Sequence, residues 1–429
     1  MRNDAARPPL SPGVPGYRTT MVGAVAAGVV TFTALYCTQG ILPALGRGFG
    51  VGADWTGWTV SALTLGIALF IIPVSAVSER VGRRPVILAS VIGATALSVA
   101  AVFAPSFAVL LAIRLLQGAL LSGVPATVVA YIADEFDPRH VAVASGMYVA
   151  GTGFGGLIGR LLPTFAAHLG DWRWGMGASA IIQVIALVTC LACLPRQRRF
   201  RPERVTVSTT LQALGRHLRN PSLVRLYVMG FAIMGAYVAF YDLLAYRLQG
   251  PPHNLSEGQY SAVFLVNIAA MISSWYAGRV AGRFGRFTTV LAAIGLAAAG
   301  FALGATPWLP VIIIGSVILT FGVFAAHSIA SGWVGPIADG RKADASALYM
   351  GAFYGGNALV SAIIVLIFER AGGVAAGGAV VVCAAVAAAV ALGLRHAPDP
   401  GRTGGRGRRA PQPGARRGRR PGGAAPSGS

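Results

Sequence analysis

Arg114 and Asp242 are the residues whose types and positions most invite chemistry, because each carries a charge inside an apolar run. A charge near the centre of a bilayer costs at least about 2.5–3.5 kcal/mol on insertion scales, so it needs a partner or a wet cavity. Gln117 follows Arg114 by nearly one helical turn and shares its face. Arg114 could hold an anionic substrate group or bias the protonation of a nearby carboxylate. Equally, it could tie neighbouring helices through backbone carbonyls and buried amides. Asp242 ends the stretch Tyr237-Val-Ala-Phe-Tyr241-Asp242. It could bind and release a proton as its surroundings alternate between apolar and charged, or form an ion pair with Arg247. Arg114 and Asp242 are therefore the candidate proton-coupling pair.

The other polar groups within apolar runs are few. Tyr36, Gln39, Gln117, Tyr237, Tyr241, Asn267, Tyr354 and Asn357 are the candidate cavity residues. They describe a mostly apolar, aromatic site with a few hydrogen-bonding points, suited to amphipathic compounds rather than sugars. Arg160 reads as an interfacial side chain whose charge reaches the headgroups, and His327 as a helix-packing histidine before a proton carrier. Cys37, Cys190, Cys193 and Cys383 all sit in apolar runs and read as packing residues. No metal-ligand cluster, Walker loop or nucleophile elbow is present, so neither a metal, another cofactor nor direct use of ATP is expected, and the chain does not read as an enzyme.

The elements that must position these residues follow from composition. The chain has 429 residues, 55% hydrophobic and only 11% charged, with a mean hydropathy of +0.65. Soluble domains carry about 25% charged residues, so this chain lacks the polar surface a soluble enzyme needs. Its apolar runs reach the length of about 20 residues that spans the hydrocarbon. Twelve spans are expected: 21–44, 55–77, 85–104, 107–133, 140–165, 174–194, 223–247, 257–278, 287–304, 309–334, 344–368 and 374–394. The first run is too long for a signal peptide and reads as a span.

The net charge of +21 suggests a nucleic-acid binder until its placement is considered. Arg80, Arg83 and Arg84, Arg139, the cluster from Arg196 to Arg219, Arg279, Arg283 and Arg286, and Arg341 with Lys342 fall in alternate loops. By the positive-inside rule those loops and both termini are cytoplasmic. The longest internal connection, 195–222, divides a 21–194 bundle from a 223–395 bundle, after an N-terminal segment 1–20. The Arg-, Gly- and Pro-rich tail 396–429 reads as disordered, held at most on anionic lipid. It lacks interleaved aromatics, so no nucleic-acid partner is expected.

An internal repeat supports the division. Ser75-Ala-Val-Ser-Glu79-Arg80-Val-Gly82-Arg83-Arg84 follows the second span, and Gly278-Arg-Val-Ala-Gly282-Arg283-Phe-Gly285-Arg286 follows the eighth. Glu79, Arg80, Gly82, Arg83, Arg84, Arg283, Gly285 and Arg286 are the candidate gating residues. Gly151, Gly155 and Gly159 recur every four residues, a spacing that permits close helix approach. They are expected to form a close, sliding contact between the halves.

These motifs resemble those of the major facilitator superfamily. The first loop is similar to its G-x-x-x-D-R-x-G-R-[RK], with Ser75 for the Gly and Glu79 for the Asp. Arg114-Leu-Leu-Gln117-Gly118 is similar to R-x-x-Q-G. Gly151-Thr-Gly-Phe-Gly155-Gly156-Leu-Ile-Gly159-Arg160 is similar to the antiporter signature G-x-x-x-G-P-x-x-G-G, with Gly156 for the Pro and Arg160 for the last Gly. His327-Ser-Ile-Ala-Ser331-Gly-Trp333, Ala345-Ser-Ala-Leu-Tyr349 and Tyr246-Arg247-Leu248 before Pro251-Pro252 resemble the acriflavine-sensitivity branch of drug-efflux permeases.

The resemblance implies an all-α membrane protein with twelve transmembrane helices in two pseudo-symmetric six-helix bundles. It implies a proton-relay role for Arg114, with Asp242 able to approach it across the central cavity. It also implies that Glu79 docks at the start of the eleventh span, near Asp344, and closes the inward mouth. Gly282 stands where the second half would need the matching acid. The expected function is proton-coupled export of a small amphipathic molecule by a monomer in the bacterial inner membrane. The alternatives are an importer or uniporter on the same fold, or a transporter-like receptor or scaffold.

Overall fold

The computed structural model describes residues 8–137, 139–199, 207–338, 340–395 and 397. The apolar runs are helices, since a backbone in lipid must satisfy its own N–H and C=O groups. The first half holds α1 (Tyr17–Tyr36), a 3₁₀ turn (Gln39–Ile41), α2 (Leu42–Phe49), α3 (Ala53–Thr56), α4 (Trp58–Val81) and α5 (Arg83–Val102). It continues with α6 (Phe107–Leu121), α7 (Pro125–Glu135), α8 (Val141–His168) and α9 (Trp172–Cys193). The second half holds α11 (Pro221–Gln249), α12 (Glu257–Val263), a 3₁₀ turn (Phe264–Asn267), α13 (Ile268–Phe284), α14 (Arg286–Gly304), α15 (Leu309–Ile337) and α16 (Lys342–Leu392). Between the halves lies α10 (Val207–Leu218), so the long connection contains a helix.

Ten helical stretches among the described residues are long and apolar enough to cross a membrane. The 51-residue α16 contains two of the expected spans, turned at Gly372, whose φ of 79° favours glycine. The 28-residue α8 fits another, and the arrangement agrees with twelve. Spans α1 and α11 are the most enclosed. Apolar faces such as Ile181, Ile185 and Val188 of α9 are exposed, as lipid-facing surfaces should be. The tail from 398 on, the first seven residues and 200–206 lie outside the described residues, so the reading of the tail is not addressed by the fold.

The repeat noted in the sequence has a structural counterpart. Gly82 and Gly285 each separate two spans, with φ, ψ of 105°, 152° and 87°, 150°. A side chain is disfavoured in that left-handed region, which explains why both loops carry glycine there. The Arg-rich loops gather at one end of the molecule, called below the basic end; the other is the far end.

Candidate functional site

The site begins with a break in a helix. α1 stops at Tyr36, and the 3₁₀ turn that follows places Gln39 inside the molecule. The break can lie close to α8 because residue 40 is glycine: a Cβ there would run into the Thr164 hydroxyl. Gln39 Nε2 then donates to Asp242 Oδ1 of α11 over 2.9 Å. Ser361 Oγ donates to the other carboxylate oxygen over 2.7 Å. On the opposite side of Gln39, its Oε1 accepts from Arg160 Nε at 2.7 Å. Arg160 also donates Nη1 to its own helix at Gly156 O, 3.0 Å away, and stacks 3.3 Å above the centre of the Tyr36 ring. The result is a buried relay, Arg160 to Gln39 to Asp242, that crosses between the halves. Hydrogen bonds to a charged group contribute roughly 1.5–3 kcal/mol each, so a charged Asp242 holds the halves together here.

Two sequence readings change at this point. Arg160 is not an interfacial side chain: it is 2% exposed. Its position six residues inside an apolar run was the available signal, since a charge there needs a partner or a cavity. The Asp242–Arg247 ion pair does not form; Arg247 instead donates to the carbonyls of Gly304, Ala305 and Thr306 at the end of α14. Ser361 was not foreseen, because a serine in an apolar run is usually satisfied by its own helix.

Arg114 is not brought to Asp242. Its Nε donates to Thr59 O at 2.8 Å, Nη1 to Ala34 O at 2.7 Å and to Gln117 Oε1 at 2.8 Å, and Nη2 to Leu35 O at 3.2 Å. The break after Tyr36 leaves the last carbonyls of α1 without helical partners, and a guanidinium is suited to cap them. Gln117 in turn donates to Ala94 O and Ser98, and Ser98 donates to Gln183. This network ties α1, α4, α5, α6 and α9 within the first half. Gln117 is thereby a bundle residue and not a cavity residue.

Beside the relay lies a cavity of about 420 Å³, bounded by α1, α8, α13 and α15. Tyr36 and Asn267 line it, joined by Phe32, Met271, Trp275 and Phe324, which the sequence did not single out. Arg160 forms part of its wall. Tyr237 supports it from behind, donating to Asn267 Oδ1 at 2.9 Å. Tyr241 bonds Thr320 at 2.7 Å and stacks on Phe264. Tyr354 is buried with its ring edge-on to Phe353. Asn357 is fully buried with neither side-chain atom hydrogen-bonded among the described residues. His327 bonds the Tyr349 hydroxyl at 2.9 Å and stacks against that ring, as a packing residue does.

The far end is closed by further contacts between the halves. Arg47 pairs with Glu257, Thr56 bonds the Tyr246 hydroxyl, and Gln249 reaches Gly40 O at 3.4 Å. At the basic end, Arg83 donates to Ser78 Oγ at 2.7 Å and lies 3.5 Å from Asp134 and 3.9 Å from Glu79. Arg84 donates to Leu194 O at 2.8 Å. Arg283 lies over Phe284, and Arg286 opens α14. α4 and α16 run antiparallel: Gly57 faces Val365, Ala68 faces Gly355 and Ile71 faces Gly351. That register carries Glu79, about two turns on, toward Asp344, which itself pairs with Arg341.

The glycine stripe has a different partner from the one expected. Gly151, Gly155 and Gly159 pack against Val25, Val29 and Thr33 of α1, in the same half. Thr33 Oγ1 donates to Gly155 O at 3.2 Å. Both helices present residues at a spacing of four, so their surfaces match along one seam, and the contact is internal to the first bundle. The cavity side of α8 carries Gly153 instead, which faces Met271 of the second half.

The sequence profile of the Major Facilitator Superfamily matches residues 24–359. The MFS-type transporter YybF of Bacillus subtilis is 33% identical over 351 residues, covering 82% of this chain and 87% of that protein. The inner membrane transport protein YnfM of Escherichia coli is 29% identical over 351 residues, covering 82% and 84%. Among solved structures, the xylose transporter XylE of E. coli in a partially occluded inward-open conformation superposes with a TM-score of 0.71. It is 15% identical and covers 90% of this chain and 99% of XylE.

Proposed function

The chain belongs to the Major Facilitator Superfamily and is a multi-pass membrane transporter; from that premise we propose that it is a proton-coupled exporter of small amphipathic molecules in the bacterial inner membrane. The carrying observation is Asp242: a carboxylate 1% exposed, held by Gln39 of the other half and adjoining a cavity through Arg160. A charged Asp242 accepts strongly from Gln39 and favours a closed far end. A neutral one accepts more weakly and lets the far end part. Proton occupancy and alternation are then linked, which is what coupling requires.

In this reading the basic end is cytoplasmic, as the positive-inside rule indicates. The Glu79 loop closes that end in the opposite state of the cycle, by docking on the start of α16. The resemblance of the 327–333 and 345–349 stretches to the acriflavine-sensitivity branch supports export, and the aromatic cavity wall supports an amphipathic cargo. The test is a reconstituted one. Lumenal pH is read in proteoliposomes while amphipathic compounds are added, with Asp242→Asn as the comparison. Compound-dependent proton movement that Asp242→Asn abolishes supports the reading. Compound flux without proton movement in the unaltered protein leaves a uniporter.

A further inference from the structure

The structure assigns an acidic cargo to this transporter: we infer that the cavity binds an organic anion, a carboxylate on an aromatic or otherwise apolar body, with Arg160 as the group that holds its charge. The inference rests on the reading above for the cavity as the cargo site and adds the chemical class.

The cavity's about 420 Å³ suits a small drug-sized ligand. Three polar side chains on its wall are already occupied. Asn267 donates to Phe264 O at 3.0 Å and accepts from Tyr237. Thr152 donates to Val149 O at 2.7 Å, and Ser328 to Ser274 O at 3.5 Å. Arg160 differs: Nε and Nη1 are used, but Nη2 is buried and has no hydrogen-bond partner among the described residues. Among the described residues no Asp or Glu lines the cavity. The nearest acid bonded to the same network, Asp242, is reached only through Gln39.

A buried guanidinium with a free donor and no carboxylate in direct contact is incomplete, because a buried donor left without an acceptor is costly. A carboxylate supplies both the charge and the acceptors, and the planar fork of arginine is matched to it. The stack on Tyr36 holds that plane in place. Phe32, Phe324, Trp275 and Met271 supply an apolar bed for the remainder of the ligand. A cationic drug meets the opposite environment: a fixed positive charge and no acid on the wall.

The test uses the purified full-length chain and two probe pairs, 4-phenylbutyrate with 4-phenylbutyramide and 2-naphthoate with 2-naphthamide. Binding is read by quenching of tryptophan fluorescence and by the shift in melting temperature. The acids should bind about tenfold or more tightly than their amides. Arg160→Gln should abolish that preference while the protein stays monodisperse, and Arg160→Lys should restore part of it. Gly153→Val, whose Cβ would meet the Met271 side chain at 2.9 Å on the cavity wall, should weaken both members of each pair.

Equal binding of acid and amide by the unaltered protein overturns the inference, and this comparison needs no variant to fold. Absence of any acid-induced shift at millimolar concentration overturns it as well, as does a preference that survives in a folded Arg160→Gln. Because binding is measured without a gradient, an acid preference that stands while Asp242→Asn still couples to protons would refute the coupling reading and leave this one intact.

Discussion

The Gln39 amide donates to Asp242 across the boundary between the two halves, and the same Gln39 accepts from Arg160 on its other side. One amide therefore touches both the carboxylate that can carry a proton and the guanidinium that lines the cavity. Cutting the relay at different points should have separable effects.

Asp242→Asn removes the proton-binding group while keeping size and hydrogen-bonding capacity. Gradient-driven uphill flux should be lost, because the relay then has no group that binds and releases the proton. Exchange of labelled for unlabelled cargo at equal pH should persist. Retained accumulation under a pH gradient would move the coupling site elsewhere.

Gln39→Leu removes the bond between the halves. A far-end cysteine reporter should then react faster with an impermeant maleimide, because the closed state has lost a hydrogen bond to a charged group. The Arg47–Glu257 pair provides a contrast. Arg47 is 67% exposed, so Arg47→Ala should shift the same labelling only slightly, consistent with about 0.2–1 kcal/mol for an exposed pair.

Arg114→Met should act on stability. It takes a donor from the carbonyls of Ala34, Leu35 and Thr59; Ala34 O keeps the Cys37 thiol and Thr59 its own helix, so the cost of about 1–3 kcal/mol for a group left unsatisfied falls chiefly on Leu35. A markedly lower melting temperature is expected, with the proton-to-cargo ratio of the surviving protein unchanged. An unaltered melting temperature with lost coupling would return Arg114 to the proton relay.

Gly159→Ala places a Cβ 2.6 Å from the Thr33 Cα, a backbone atom that cannot swing aside. Overpacking of this kind costs about 1–3 kcal/mol, and folded yield should drop. Gly146→Ala, on the same helix with nothing within 4 Å, should be neutral. Equal yields from the two would mean that α1 and α8 are not seated as described.

Glu79→Gln tests the basic end. If Glu79 closes that mouth by docking on the start of α16, a cysteine at Gly146 should label faster from the cytoplasmic side. Unchanged labelling at normal expression would reduce Glu79 to a surface charge.

The sequence alone was sufficient for features that depend on short stretches of chain. Span length follows from the bilayer's thickness, and the separation of the Arg-rich loops from the others follows from charge. It also marked Arg114, Gln117, Gln39 and Asp242 as polar groups that must be satisfied inside apolar runs. It could not decide with whom. Gln39 and Asp242 are 203 positions apart, and Arg160 and Gln39 are 121 apart. Their meeting depends on where α1 breaks and how closely α8 approaches it. For the same reason Arg160 looked like a side chain at the membrane surface, and the glycine stripe looked like a seam between the halves. Burial and partner are properties of helix crossings, and a helix sequence shows which face is small or polar without showing which neighbour that face will meet.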